Sequence, residues 1–147
     1  MIQVNVVRAY DDPSIQMPVY GTDGAGAFDL FAHKIEPTED GFIVDTGLIF
    51  EIPEGHVMFI KSRSGLSFKK GITAFHGVID SDYRGVVKVK LTQRKSTLVT
   101  ESDTPAIVVG DRIAQAYITA VPKIKFNEVT HVPETERGTN GFGSTGS

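Results

Sequence analysis

The chain has 147 residues, no cysteine and a formal net charge of -3, which excludes disulfides and thiolate metal sites and makes it a poor general binder of nucleic acid or acidic membrane. A single domain of this length buries about 68–70% of the surface its unfolded chain exposes, so it can fold without a covalent or metal staple. No apolar run approaches the ~18 residues of a membrane span, and the start "MIQVNVVRAY" has no basic region leading into an apolar core; no signal peptide and a cytoplasmic location are therefore expected.

In chain order, "IQVNVV" reads as the first strand. A Gly-rich stretch then leads into "AFDLFA", where Asp29 sits between Phe28 and Leu30 and faces away from both. By itself that position reads as a solvated one. "FIVDTGLIFEI" runs into "PEG", a tight-turn signal. "HVMFIKS" follows, and then "SGLSFKK" (Ser64 to Lys70), the only stretch with helical character. Arg63 offers a planar fork of donors suited to phosphate, Ser64 is a natural N-cap, and Gly65 permits close approach to the backbone. Alone, the same residues also describe a capped strand end with a solvated arginine.

"ITAFHGVI" is the next strand, and Asp80 lies at its end. A carboxylate there is a plausible general base, whereas Asp82, in "SDYRG", is turn material or a partner for Arg84. "VVKVKL" alternates, with Val87, Val89 and Leu91 on one face and Lys88 and Lys90 on the other. "TPAIVVG", "IAQAYITAV" and "FNEVT" complete about nine expected strands. Within "VGDRIAQ", Asp111 and Arg112 read as structural and Gln115 is left open. The end, "RGTNGFGSTGS", is rich in Gly, Ser and Thr. It lacks the Lys and the following helix of a P-loop.

With so little helix, parallel crossover units are not expected. The reading is all-β, a jelly roll or closed barrel. His33, His56, His76 and His131 have no metal-ligand spacing, and no Gly-x-Ser-x-Gly elbow is present.

Each signal is weak alone, but their order is specific. "AFDLFA", "RSGLS", "GVIDSDYRG", "GDRIAQ" and "RGTNGFGSTG", spanning Ala27 to Gly146, resemble the five motifs of the trimeric dUTP pyrophosphatase (dUTPase) family. The resemblance implies a jelly-roll-like distorted β-barrel with one short helix over residues 1–136. A flexible Gly-rich arm, residues 137–147, would close over the site. It further implies a homotrimer with active sites shared between subunits, the substrate dUTP and the cofactor Mg²⁺. Neither nucleic acid nor membrane is expected as a partner.

By the same resemblance, Asp80 activates water for attack on the α-phosphorus and Gln115 lies near that phosphate. Arg63, Ser64 and Gly65 contact phosphates. Gly77, Val78 and Ile79 read uracil through backbone groups, and the Tyr83 ring packs on deoxyribose. Arg137 holds the terminal phosphate, Phe142 stacks over uracil, and Gly143, Ser144 and Thr145, with Gly146, serve the β- and γ-phosphates. Asp29 meets the metal through water only, with no direct protein ligand. The reaction implied is dUTP to dUMP and pyrophosphate, which limits uracil in DNA and supplies the thymidylate precursor.

The sequence departs from the family pattern at Ala27, which stands where glycine is common, and at Val86, where a polar residue is usual. Phe75 and His76 are bulky beside the uracil hairpin. The stretch from Thr92 to Val109 is longer than usual, and the loop near Thr97 to Thr104 has no assigned role. Two other readings are a dCTP deaminase, which the fifth motif disfavours, and a non-catalytic jelly-roll binding module, which the intact Asp80, Tyr83 and Arg63 disfavour.

Overall fold

In a computed structural model, described over residues 2–93 and 106–141, the chain forms eleven strands and one helix. The strands are β1 (Asn5–Arg8), β2 (Val19–Tyr20), β3 (Phe28–Phe31), β4 (Lys34–Thr38), β5 (Gly41–Asp45) and β6 (Leu48–Glu51). Next come β7 (His56–Lys61), α1 (Ser64–Lys70), β8 (Ile72–Ala74), β9 (Val78–Ile79), β10 (Lys88–Gln93) and β11 (Arg112–Ala120).

Two larger sheets face each other across one core. One is ordered β2-β3-β11-β7-β9 and the other β4-β5-β10-β8, while β1 and β6 pair separately. All pairings are antiparallel. The core takes Leu30, Ile60 and Ala114 from the first sheet and Val44, Val89 and Leu91 from the second. The alternation of β10 holds: Val87, Val89 and Leu91 are buried, and Lys88 and Lys90 are exposed.

The architecture is the expected all-β, jelly-roll-like one, built as open sheets: among the described residues no strand closes them into a barrel. Strands change sheets at corners. "FIVDTGLIFEI" breaks at Gly47, whose φ of 70° is left-handed and favours glycine. There Asp45 Oδ1 accepts the Gly47 N–H at 2.6 Å, so β5 and β6 enter different sheets. "ITAFHGVI" likewise breaks at 75–77, leaving β8 in one sheet and β9 in the other. The "PEG" turn forms as expected, with His56 N–H donating to Pro53 C=O at 3.1 Å.

Other expectations are corrected. The sequence pattern does not announce β2 or β4. Pro37 argues against a strand, and β4 is tolerated because it lies on a sheet edge. The described part of "TPAIVVG" is a turn, because Asp111 Oδ2 accepts the Val108 N–H at 2.9 Å. "FNEVT" is not a strand: among the described residues it pairs with no sheet edge. After Val121 donates to Gly55 C=O, the segment runs exposed, with Phe126 at 91% and Val132 at 74% of full exposure.

Candidate active site

The five-stranded sheet carries a polar cluster on its outer face. Gln115 of β11 lies opposite Asp29 of β3 on one side and Lys61 of β7 on the other. Residues directly opposite in a sheet share a face, so these three point the same way. The chain leaving β7 adds Ser62 and Arg63.

Asp29 organises the cluster. Arg63 Nε donates to its Oδ1 at 2.8 Å, and Arg112 Nη1 lies 3.3 Å from its Oδ2. The solvated reading of Asp29 therefore fails: it is 8% exposed, because two arginines cover it. Arg63 also donates through Nη1 to Arg112 C=O at 3.1 Å. Its guanidinium is thus held at two points and remains partly exposed, an arrangement suited to an oxyanion. Gln115 Nε2 donates to Ser62 C=O at 2.8 Å. Ser62 Oγ in turn bonds both the N–H and the C=O of Ala74, which fixes the end of β7.

Arg112 is the member that sequence reading missed as part of this cluster. On a regular strand, a spacing of three puts it on the face opposite Gln115. A register shift between Arg112 and Ala114 turns it back toward Asp29. Such irregularities re-aim side chains, and simple alternation cannot anticipate them.

The helix spans the predicted Ser64–Lys70, but Ser64 is not its N-cap. Arg63 holds that position in an extended conformation without a side-chain cap. The first turn closes from Ser67 N–H to Arg63 C=O, while the Arg63 side chain stays with Asp29. Ser64 and Gly65 are exposed, and apart from the helix's own backbone and its chain neighbours nothing described lies within 4 Å of where a Gly65 side chain would begin. A ligand can therefore reach this backbone closely.

A second group lies elsewhere on the chain. Gly77, Val78, Ile79, Asp80 and Tyr83 surround β9 and its following turn, which Tyr83 N–H closes on Asp80 C=O at 3.2 Å. β9 is an edge strand, paired to β7 through Phe59–Val78 and Met58–Ile79. Among the described residues no strand pairs with its other side, where an edge leaves backbone donors and acceptors open. Asp80 is exposed and lines an open cleft of about 770 Å³ with Val78, Phe59 and Val121. Arg84 does not pair with Asp82; its Nη1 donates to the carbonyls of Ser81 and Tyr83 at 2.7 and 3.0 Å.

Within one chain the two groups stay apart. β9 and β11 flank β7 on opposite sides, with Ile79 opposite Met58 and Gln115 opposite Lys61. Standard sheet spacings put the Ile79 and Gln115 positions roughly 14 Å apart, and Asp80 lies a residue farther. Arg137 sits in a separate exposed turn, donating through Nε to Asn140 C=O at 2.9 Å. Phe142, Gly143, Ser144 and Thr145 lie outside the described residues, as does the loop from Thr97 to Thr104.

No group of three or more His, Cys, Asp or Glu side chains is placed to hold a metal among the described residues. Each Asp29 oxygen engaged by arginine keeps a second lone-pair direction, and oxygen donors suit a hard cation's hydration shell. A water-mediated role for Asp29 is chemically compatible with its surroundings.

Comparison with known proteins gives the family and the fold. A family model described as dUTPase matches residues 13–146. The chain is 42% identical to a deoxyuridine 5'-triphosphate nucleotidohydrolase of Rhizobium rhizogenes, covering 97% of this chain and 93% of the relative. It is 40% identical to the protein of the same name from Brucella melitensis, covering 98% and 93%. Among solved structures it is similar to a dUTPase of Staphylococcus bacteriophage 80alpha bound to dUpNHpp, with TM-score 0.83, 24% identity and full coverage of both chains. A phage phi11 dUTPase described with a structural Mg(II) ion has TM-score 0.74 at 22% identity, covering 88% and 98%.

Proposed function

The chain belongs to the dUTPase family and is by that membership a dUTP diphosphatase; we propose that it converts dUTP to dUMP and pyrophosphate at sites shared between subunits of a homotrimer. The observation that carries this reading is the separation of two half-sites. Arg63, aimed by Asp29, stands with Gln115 on one sheet face, while Asp80 and β9 occupy another part of the chain. A base and the phosphate it serves must come within hydrogen-bond reach, about 3 Å or one water. A second copy supplies the missing half.

In this reading the Asp80 carboxylate takes a proton from water as its oxygen bonds the α-phosphorus. The bond from that phosphorus to the bridging oxygen breaks, and pyrophosphate leaves with the electron pair. Gln115 orients the α-phosphate, and Arg63, with Ser64 and Gly65, receives phosphate oxygens. Mg²⁺, carried on the triphosphate and touched by Asp29 only through water, would supply charge neutralisation. Gly77, Val78 and Ile79 read uracil, with the outward-facing backbone N–H and C=O of Val78 on the free edge of β9 pairing with the base, since Gly77 C=O is held by Ile60 N–H at 2.9 Å. Cytosine reverses the pattern at its 4-position and leaves buried groups unpaired, which is costly. The Tyr83 ring against the sugar leaves no room for a 2′-hydroxyl.

Residues 137–147 serve as the arm. Arg137 binds the terminal phosphate, Phe142 stacks on uracil at roughly 1–3 kcal/mol, and Gly143, Ser144 and Thr145 close on the β- and γ-phosphates. The exposed apolar run before it, Ile124, Phe126, Val129 and Val132, is suited to packing on a neighbouring copy. The dUMP formed supplies thymidylate synthesis in the cytoplasm, and uracil is kept out of DNA. No helix among the described residues is long and apolar enough to cross a membrane.

The test is to incubate the protein with dUTP, dTTP, dCTP or UTP plus Mg²⁺ and measure pyrophosphate and ammonia. Pyrophosphate from dUTP alone is expected. Ammonia from dCTP would favour a deaminase, and inertness toward all four a binding module.

A further inference from the structure

We infer that Gly85 is a positioning residue for substrate discrimination: it is the notch that lets the Tyr83 ring lie rigidly against the sugar. The inference rests on the reading that Tyr83 faces the deoxyribose.

Tyr83 is 45% exposed, and an exposed aromatic side chain ordinarily keeps rotamer freedom. Here the ring folds back over the chain that follows it. Its hydroxyl donates to Val86 C=O at 3.2 Å. Between these two residues the ring crosses Gly85. A Cβ at Gly85 would lie 2.5 Å from Tyr83 Cζ and 2.9 Å from Cε2, and closer still to the hydroxyl oxygen. Those separations are well inside carbon–carbon contact distance. Any side chain at this position must therefore displace the ring.

The backbone gives no other reason for glycine there. Gly85 is not among the residues with positive φ, so a left-handed backbone is not what calls for glycine here. In contrast, Gly65 and Gly141 have open space where a side chain would begin. At Gly85, chain neighbours aside, the three atoms nearest an added Cβ all belong to the Tyr83 ring and its hydroxyl. The turn closed by Tyr83 N–H on Asp80 C=O sets the Tyr83 backbone, and the bond from its hydroxyl to Val86 C=O holds the ring. It forms a wall with Tyr10, Ile79 and Val86 along a cleft.

A fixed wall matters because rejecting one added hydroxyl is difficult. An apolar surface discriminates against such an analogue by only about 10², and one that yields discriminates less. Gly85 is thus argued to act through Tyr83 without touching substrate. Val86 contributes through its backbone, which accounts for a nonpolar side chain being tolerated at that position.

The experiment measures kcat/KM for dUTP and UTP in wild type, Gly85→Ala, Tyr83→Ala and the double variant, with a melting temperature for each. In Gly85→Ala the ratio of dUTP to UTP is expected to fall about tenfold or more. In the Tyr83→Ala background the same glycine change should alter the ratio no further, the non-additivity of residues acting as one unit. If Gly85→Ala fails to fold, recovery of folding in the double variant supports the inference, and continued failure overturns it. An unchanged ratio in folded Gly85→Ala, or equal loss for both nucleotides, also overturns it while leaving the dUTPase reading intact. A wild type that hydrolyses dUTP and UTP alike, or neither, overturns the sugar reading and this inference with it.

Discussion

Arg63 Nε donates to Asp29 Oδ1 at 2.8 Å, joining the end of β7 to the middle of β3. Arg112 takes the other carboxylate oxygen, so one buried acid fixes two cations. Its removal would leave Arg63 charged but unaimed. In Asp29→Ala, kcat/KM for dUTP should fall about 10²-fold or more, the scale of a small misplacement of a positioning group. Asp29→Asn retains an acceptor and should lose less. Steady-state kinetics beside thermal melting separates misplacement from unfolding; equal activity in Asp29→Ala and wild type would contradict the assignment.

Asp80 is exposed and makes no side-chain hydrogen bond among those described. Asp80→Asn should therefore melt close to the wild-type temperature. Its kcat should nevertheless fall roughly 10²–10⁴-fold, the usual contribution of a general base. Near-normal turnover would remove Asp80 from that role.

Cutting the chain after Arg137 removes Phe142 and the Ser144–Thr145 pair but no core residue. If residues 137–147 close over the site of a trimer as proposed, the truncated protein should keep its melting temperature and trimeric mass and lose most activity, because such closure excludes water and completes a site. Light scattering with a pyrophosphate assay checks both, and full activity in the truncated trimer would make the segment a dispensable tail.

A pH effect is expected at Asp40. Its hydrogen bond with Lys90, at 3.1 Å, and then the one from Thr38 hold this carboxyl below its ordinary value of 3.8. Because folding lowers the pKa, the stabilisation is complete above the unfolded value and disappears as pH falls through the folded one. Both partners are exposed, so the effect is small and salt-screened. Asp40→Asn should melt slightly lower than wild type at pH 7 in low salt. The two proteins should converge once the pH falls below the lowered folded-state value of this carboxyl and in high salt. A gap that persisted in acid would point to packing rather than charge.

Local chemistry makes much of this molecule legible in its residues alone. Strict alternation sets the faces of β10, and the residues of α1 are bounded by Arg63 and Gly71, whose φ of 63° ends the helix. What escapes are features set by distant parts of the chain. Whether "FNEVT" becomes a strand depends on a partner edge that its own residues do not encode. The burial of Asp29 depends on Arg63 and Arg112, 34 and 83 positions further along the sequence. Arg112 reaches it only through an irregularity in β11. Ser64 loses the cap because the Asp29 pairing holds Arg63 extended ahead of the helix. The notch at Gly85 is likewise not written in its neighbours' identities; it exists because the Tyr83 ring folds back over the chain.

The central claim is that Asp80 of one copy serves the phosphate held by Arg63 of another. It is tested most directly by mixing two inactive variants, Asp80→Asn and Arg63→Ala, unfolding them together and letting subunits reassort on refolding. Each variant alone should hydrolyse dUTP at a small fraction of the wild-type rate. In the mixture, a site pairing an intact Asp80 from one variant with an intact Arg63 from the other regains both groups, which under random assortment is about a quarter of the sites of a closed symmetric oligomer. The account predicts recovery of activity toward that fraction. A mixture no more active than its components, although heterotrimers have formed, would contradict it and return Asp80 and Arg63 to a site built within one chain.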